Sequence, residues 1–99
     1  MNYFLCRLNP PRPTFALDMS DDERQLMQRH SAYWKELLDR GKAVVFGPVG
    51  DPAGVWGMVV VVADNRAEAE TLASKDPVIV SNRSFSYDVL PMLSAVVRA

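Results

Sequence analysis

Residues 55–63 read VWGMVVVVA, and this stretch decides the fold because it has the length and aliphatic composition of a strand. Side chains alternate between the two faces of a strand. Trp56, Met58, Val60 and Val62 therefore share one face, and the other face carries Val59, Val61 and Ala63. Since both sets are largely apolar, we expect burial on both faces of this strand.

A turn and a second strand precede this stretch. Residues 50–54, GDPAG, have turn chemistry, and residues 43–46, AVVF, form a short apolar run that Gly47-Pro48 stops. The spacing predicts a hairpin in which the strand over 43–46 pairs antiparallel with the strand over 55–63.

A long helix comes before the hairpin. Ser20 and Glu23 have the spacing of a capping box, in which each side chain accepts from the other residue's backbone amide. Gly41 suits the left-handed C-cap that ends such a helix. Apolar and aromatic side chains recur between these signals every three or four positions: Leu26, Met27, His30, Tyr33, Trp34, Leu37 and Leu38. The pattern predicts a helix with His30 on its buried stripe.

The remaining elements complete a known order. They are a strand over Asn2–Leu8, a helix over Arg66–Ser74 that Asn65 caps, and a strand over Ser84–Leu90. The order β-α-β-β-α-β predicts an α+β, ferredoxin-like fold with a four-stranded antiparallel sheet whose first and third strands are central. The length fits one domain over 1–99, with a core at about 1–91 and a C-terminal extension at 92–99.

The two-sided strand also predicts a partner. Two helices cover only one face of a four-stranded sheet. The simplest way to bury the other face is to pack it against the same face of a second copy. We therefore expect a homodimer. A monomer is the alternative, because some exposed apolar surface is normal in soluble proteins.

Charge and composition disfavour other partners. Acidic and basic residues nearly cancel, 12 against 11, and the pI is about 5.7, so neither nucleic acid nor a membrane surface is an expected partner. An RNA-recognition domain with the same strand and helix order is disfavoured for the same reason. The single cysteine, Cys6, lies in an apolar run and is expected to be a buried thiol. We expect a cytoplasmic protein.

His30 and Asp76 are the candidate catalytic residues. A lone histidine on an apolar stripe is often a hydrogen-bonded core residue, and an aspartate before Pro77 is often a turn or capping residue. Together they suggest more, because both helices lie on the same sheet face and the carboxylate could approach His30. An aspartate bonded to one imidazole nitrogen leaves the other nitrogen as an acid or base.

The candidate pocket lies between the first helix and the sheet, with Tyr3, Leu5 and Trp34 as possible walls or as plain core. Gly47 and Pro48 either line the same end of the sheet or only terminate a strand. There is no cysteine cluster or second histidine for zinc, and no glycine-rich nucleotide loop or GxSxG elbow. The expectation is a site with no metal and no cofactor.

Several segments together resemble a known family. They are HSAYW at 30–34, GK at 41–42 leading to FGPV at 46–49, the segment 69–72, and DPV at 76–78. In order and spacing they resemble the YCII-related (YciI-like) family over nearly the whole chain. The resemblance implies a dimeric ferredoxin-like α/β barrel with a histidine-aspartate pair, here His30 and Asp76. One relative type is a dehydrochlorinase, which implies proton-transfer or elimination chemistry.

Two hypotheses follow for the function. The first is a cofactor-free lyase or isomerase in which His30 moves a proton of a small organic substrate and Asp76 orients the imidazole. The alternative is a small-ligand-binding or interaction module without catalysis, since one fold serves many roles. A deep pocket at His30 favours the enzyme, and a closed core around it favours the module.

Overall fold

The computed structural model describes residues 2–98, and Met1 and Ala99 lie outside the described residues. It has a four-stranded antiparallel sheet with helices on one face, consistent with the predicted ferredoxin-like α+β fold. The elements in chain order are β1 (Asn2–Asn9), α1 (Phe15–Asp18), α2 (Asp21–Asp39), β2 (Ala43–Val49), β3 (Trp56–Ala63), α3 (Arg66–Ser74), α4 (Pro77–Val80) and β4 (Ser86–Pro91).

The strand order is β2-β3-β1-β4, so the first and third strands are central, as predicted. Every neighbouring pair is antiparallel. The register places Leu5 between Val60 of β3 and Leu90 of β4. A register shift between Ala43 and Val45 marks an irregularity near the start of β2. The hairpin of β2 with β3 is confirmed.

The long helix begins and ends where the sequence predicts. The Ser20 hydroxyl accepts from the Glu23 amide at 3.1 Å, and the Glu23 carboxylate accepts from the Ser20 amide at 2.9 Å. Gly41 adopts the left-handed conformation, with φ of 75°, just after the helix. The capping box and the glycine therefore set both limits of α2.

The core lies between the helices and one face of the sheet, which we call the inner face. Its buried members come from both layers: Phe4, Cys6, Trp34, Leu37, Ala43, Val59, Val61, Ala63, Ala69, Ala73 and Val89. A smaller cluster of Leu8, Leu26 and Val78 adjoins it. Cys6 is buried, as expected, and burial raises the pKa of its thiol to about 11. It packs as a small hydrophobic residue.

The opposite, outer face of the sheet is not covered by any described part of the chain. Because Phe4, Cys6 and Leu8 point to the inner face, the residues between them point to the outer face. The apolar members of this outer face are Tyr3, Leu5, Val45, Trp56, Met58, Val60, Val62 and Leu90. None of them belongs to the buried set, although the same strands bury their other side.

The limits of β1, β3 and β4 shift by one residue at single ends, and four larger differences separate the structure from the sequence-based prediction. β2 continues through Pro48 to Val49, because β2 is an edge strand and a proline without an amide hydrogen is tolerated there. β4 begins at Ser86, since Ser84 has φ of 69°, which no strand residue adopts. Two one-turn helices, α1 and α4, lie in segments for which the sequence pattern predicts no helix.

Past β4, residues 92–98 form no helix or strand. The Met92 amide donates to the Tyr3 carbonyl at 3.0 Å and so ties the start of this segment to β1. Within residues 2–98, no helix combines the length and the apolar character needed to cross a bilayer.

Candidate functional site

Asp76 is fixed at the junction of α3 and α4. It is the N-cap of α4, and its Oδ1 accepts from the Val78 amide at 3.0 Å, while Pro77 occupies the first turn, where a missing amide hydrogen costs nothing. The residue is 0% exposed. The capping interpretation of Asp76 is therefore correct, and it accounts for only one of the two carboxylate oxygens.

The other oxygen, Oδ2, accepts three hydrogen bonds from side chains. His30 Nδ1 lies at 2.6 Å, the Tyr87 hydroxyl at 2.6 Å, and Trp34 Nε1 at 2.8 Å. His30 and Trp34 are four residues apart on α2 and so share one helix face, whereas Tyr87 comes from the inner face of β4. Side chains from two elements, α2 and β4, thus converge on one buried carboxylate at the start of a third, α4.

The surroundings of Asp76 favour its ionised form. Burial is the largest influence and opposes ionisation, but the hydrogen bond and charge of His30, the Tyr87 hydroxyl and the Val78 amide together outweigh it. The pKa of Asp76 is consequently held below its usual value. The same arrangement raises the pKa of Tyr87, through burial first and then through the charge of Asp76. Tyr87 therefore remains a neutral donor.

The ionised carboxylate determines how the His30 ring is protonated. A carboxylate can only accept, so His30 Nδ1 carries the hydrogen in the 2.6 Å contact with Asp76. Nε2 makes no hydrogen bond with a described residue. Yet no buried side-chain nitrogen or oxygen within residues 2–98 lacks a partner, so Nε2 is not buried. The free nitrogen of His30 is accessible from outside the core.

His30 lines a cavity of about 320 Å³, and we infer that its accessible nitrogen opens to this cavity. The cavity lies between α2, the segment before α2, and the strand ends of β1, β2 and β3. Its aromatic walls are Phe15, Phe46 and Phe85, and its other apolar walls include Leu8, Pro10, Met19, Met27, Pro48 and Val55. Trp56 also borders the cavity, although strand alternation places its side chain on the outer face, against Arg7. His30 and Ser31 are its polar side chains among the described residues. Asp76 lies behind His30 and does not line it.

The segment with α1 forms one wall of this cavity, and an ion cluster holds it in place. Arg12 donates from Nε to Asp18 at 2.8 Å and from its two terminal nitrogens to the Glu23 carboxylate, both at 2.8 Å. The Phe15 ring meets Phe85 edge to face, with centroids 5.2 Å apart. The hydrogen bonds from Arg12 are the main reason that the pKa of Glu23 falls to about 2.

The structure brings some of the predicted site residues together and separates others. His30 and Asp76, 46 residues apart, are hydrogen-bonded, and Gly47 and Pro48 both line the cavity. Trp34 is fully buried and binds Asp76 rather than lining the cavity. Tyr3 and Leu5 do not line it either: strand alternation places both on the outer face.

Sequence reasoning missed two contributions to the site. The first is the Tyr87 hydroxyl on Asp76, for which the alternation of β4 gives an inward-facing tyrosine but no partner. The second is the wall from Phe15, Ala16 and Met19, which lie in a proline-rich loop without helical or strand periodicity. No pattern in the sequence shows that this loop folds back over the pocket.

We expect acid to destabilise the wild-type protein more than the Asp76→Asn variant. The pKa of Asp76 is lower in the folded protein than in the unfolded chain, where it is about 3.9. The ionised carboxyl group therefore stabilises the fold at any pH above about 3.9, and this stabilisation is lost as the pH falls through the folded pKa. Urea midpoints between pH 7 and pH 2 should fall more steeply in wild type below about pH 4. Glu23 contributes equally to both proteins. Parallel curves would contradict the assignment.

The arrangement can perform proton transfer at one atom. A neutral imidazole whose Nδ1–H is held by a carboxylate presents Nε2 as a base, and Asp76 would stabilise the imidazolium that results. Within residues 2–98, no group of three or more His, Cys, Asp or Glu side chains is arranged to hold a metal ion. Acid–base chemistry at His30 is the reaction type that these residues can support.

Comparison with known proteins identifies the family. The model of the YCII-related domain matches residues 3–93 of the 99-residue chain. The search of curated proteins finds no match. The family match covers β1 to β4, His30, Asp76 and the described walls of the cavity. The chain therefore belongs to the YCII-related domain family.

Proposed function

We propose that this protein is a cofactor-free enzyme of the lyase or isomerase type in which His30 Nε2 transfers a proton of a small organic substrate. The observation that carries the proposal is the two-sided environment of one imidazole. Its Nδ1 is bonded to a buried carboxylate, while its Nε2 is accessible on the cavity side. A histidine of purely structural importance has no need of an accessible second nitrogen at a cavity.

The chemistry balances without a further reactant. Nε2 takes a proton from a carbon atom, and the C–H electron pair remains on the substrate as a carbanion or enolate. In an elimination, that pair forms a double bond while a leaving group departs with its own bonding pair, and the imidazolium then releases its proton to the leaving group or to water. In an isomerisation, the imidazolium returns the proton to a different carbon. Asp76 is the positioning residue, since it touches His30 and not the cavity.

Deuterium exchange tests this function without knowledge of the natural substrate. Wild type and His30→Asn are incubated in D₂O with small ketones, aldehydes, lactones and nitroalkanes, and incorporation is followed by mass spectrometry. We expect at least one compound to gain deuterium with wild type only. If compounds bind in the cavity and none exchanges faster than with His30→Asn, the protein is a ligand-binding module without catalysis.

We further propose that two copies pack through the outer face. The sheet leaves apolar residues of all four strands there, Leu5, Val60 and Leu90 side by side among them. The adjoining C-terminal segment carries Leu93 and Val96, which are 98% and 96% exposed in the single chain. A contiguous apolar surface of this kind favours self-association, and the same face of a second copy is complementary to it.

A charge placed at the centre of the outer face should prevent this association. Val60→Asp is expected to convert a dimer into a monomer in sedimentation velocity, because an aspartate at the interface would be desolvated without a partner. Val80→Asp is the matched control, since Val80 is 71% exposed on the helical side of the molecule. A wild type that is monomeric at all concentrations, or a dimer unaffected by Val60→Asp, contradicts the proposed interface.

A further inference from the structure

Apart from His30, the described side chains that line the cavity carry no titratable group. None of the described residues that line it is Asp, Glu, Lys or Arg. His30 is its sole titratable side chain within the described part of the chain, and the Ser31 hydroxyl is its other polar side-chain group. A carboxylate or ammonium entering such a cavity would lose its hydration without gaining an ion pair.

Two arginines on segments that border the cavity, Arg12 and Arg7, are engaged outside it. Arg12 is bound to both Asp18 and Glu23 at 2.8 Å, so its positive charge is already compensated. Arg7 lies over the ring of Trp56, 4.4 Å from its centroid, and points to the outer face of β1. Neither residue lines the cavity. The walls therefore offer no built recognition for an acidic group.

The walls instead suit a flat apolar ring. Phe15, Phe46 and Phe85 line the space together with Met19 and Met27, and aromatic faces and thioethers both contact aromatic ligands favourably. An apolar cavity of roughly 150 Å³ holds benzene. A space of about 320 Å³ is therefore large enough for a molecule of one or two rings.

We infer that the ligand of this cavity is an uncharged, largely apolar molecule of one or two rings that presents one polar or acidic group to His30 Nε2. The inference rests on the proposed function only in taking this cavity as the substrate site. It narrows the substrate class to neutral compounds such as phenols, cyclic ketones or lactones. Products of ring-forming or ring-oxidising reactions that leave no net charge belong to this class.

Three probes that share a 4-methylphenyl ring and differ in the charge of the other substituent test the charge preference: 4-methylphenol, 4-methylbenzoate and 4-methylbenzylammonium. Binding is followed at about pH 8 by the ¹³C-methyl resonances of Met19 and Met27, two methionines that line the cavity. We expect the phenol to bind at least about tenfold more tightly than either ion, since neither ion finds a counter-charge. The three binding measurements are repeated with His30→Asn, because this variant has no imidazolium that could attract the benzoate.

Paired variants show whether binding occurs in this cavity. Ser31 lines the cavity and Ala32, its neighbour on α2, is exposed and does not. Ser31→Phe should weaken phenol binding at least about tenfold by filling the space, and Ala32→Phe should leave it unchanged. Equal or tighter binding of either ion, no binding of any probe at millimolar concentration, or an unchanged affinity in Ser31→Phe would overturn the inference.

These outcomes separate the ligand class from the reaction. Selective binding of the neutral probe, without any deuterium exchange that depends on His30, supports the ligand class and contradicts the enzyme. Deuterium exchange that depends on His30, together with weaker binding of the phenol than of either ion, supports the enzyme and overturns the ligand class.

Discussion

Replacing Asp76 with alanine is expected to lower the free energy of unfolding by about 3 to 5 kcal/mol, the range for removing one member of a buried charged pair. The substitution leaves His30, Trp34 and Tyr87 without the oxygen that accepts from all three, and it removes the N-cap of α4. Because a domain of this size has about 5 to 15 kcal/mol of stability in total, the loss brings the variant close to unfolding.

Urea unfolding at one fixed protein concentration measures this loss, since association would also stabilise the fold. Asp76→Asn keeps one acceptor oxygen and should be less damaging than alanine. Asp39→Ala is the matched control, because Asp39 is 61% exposed and its pairing with Lys35 is a surface pair worth about 0.3 to 0.5 kcal/mol. If Asp76→Ala costs no more than Asp39→Ala, the network around Asp76 does not support the fold.

Replacing His30 with asparagine is expected to reduce deuterium exchange by about 10²- to 10⁴-fold, the usual contribution of a general base. The asparagine amide nitrogen occupies the place of Nδ1, so this variant can still donate to Asp76. It has no atom at the place of Nε2. The variant thus removes the proposed base and preserves the hydrogen bond from residue 30 to the buried Asp76 carboxylate.

Glutamine at the same position is the matched counterpart. Its longer side chain carries the amide to the place of Nε2, so Asp76 loses the hydrogen bond that residue 30 donates. We expect His30→Gln to lose exchange as His30→Asn does, and to lose more stability, by about 1 to 2 kcal/mol. Exchange that survives in His30→Asn at the wild-type rate would show that His30 is a structural residue.

Local signals in the sequence were sufficient to predict most of the fold. The capping box of Ser20 and Glu23, the apolar stripe of α2 and the alternation in β3 each depend on residues close in the chain. The course of β2 through Pro48 could not be predicted in this way. A proline is compatible with an edge strand only, and the edge position of β2 depends on pairing over the whole sheet.

The candidate site was predictable only in part, for a similar reason. The helix pattern places His30 on the buried face, and the fold brings the end of α3 towards it, so the approach of Asp76 follows from topology. Tyr3 and Leu5 belong to a strand with apolar residues on both faces, and the sequence does not say which face the helices cover. The cavity wall at Phe15 arises from a loop held by Arg12, a contact without a local signal.

The most direct test of the central claim is the ¹⁵N resonances of the His30 ring, measured by long-range ¹H–¹⁵N NMR at about pH 8. The protein has one histidine, so the two ring nitrogens are read without ambiguity. A proton on Nδ1, an unprotonated Nε2, and a change at Nε2 when 4-methylphenol is added are the predicted results. A proton on Nε2, or an Nε2 resonance that no cavity ligand alters, would contradict the assignment of His30 as the accessible base.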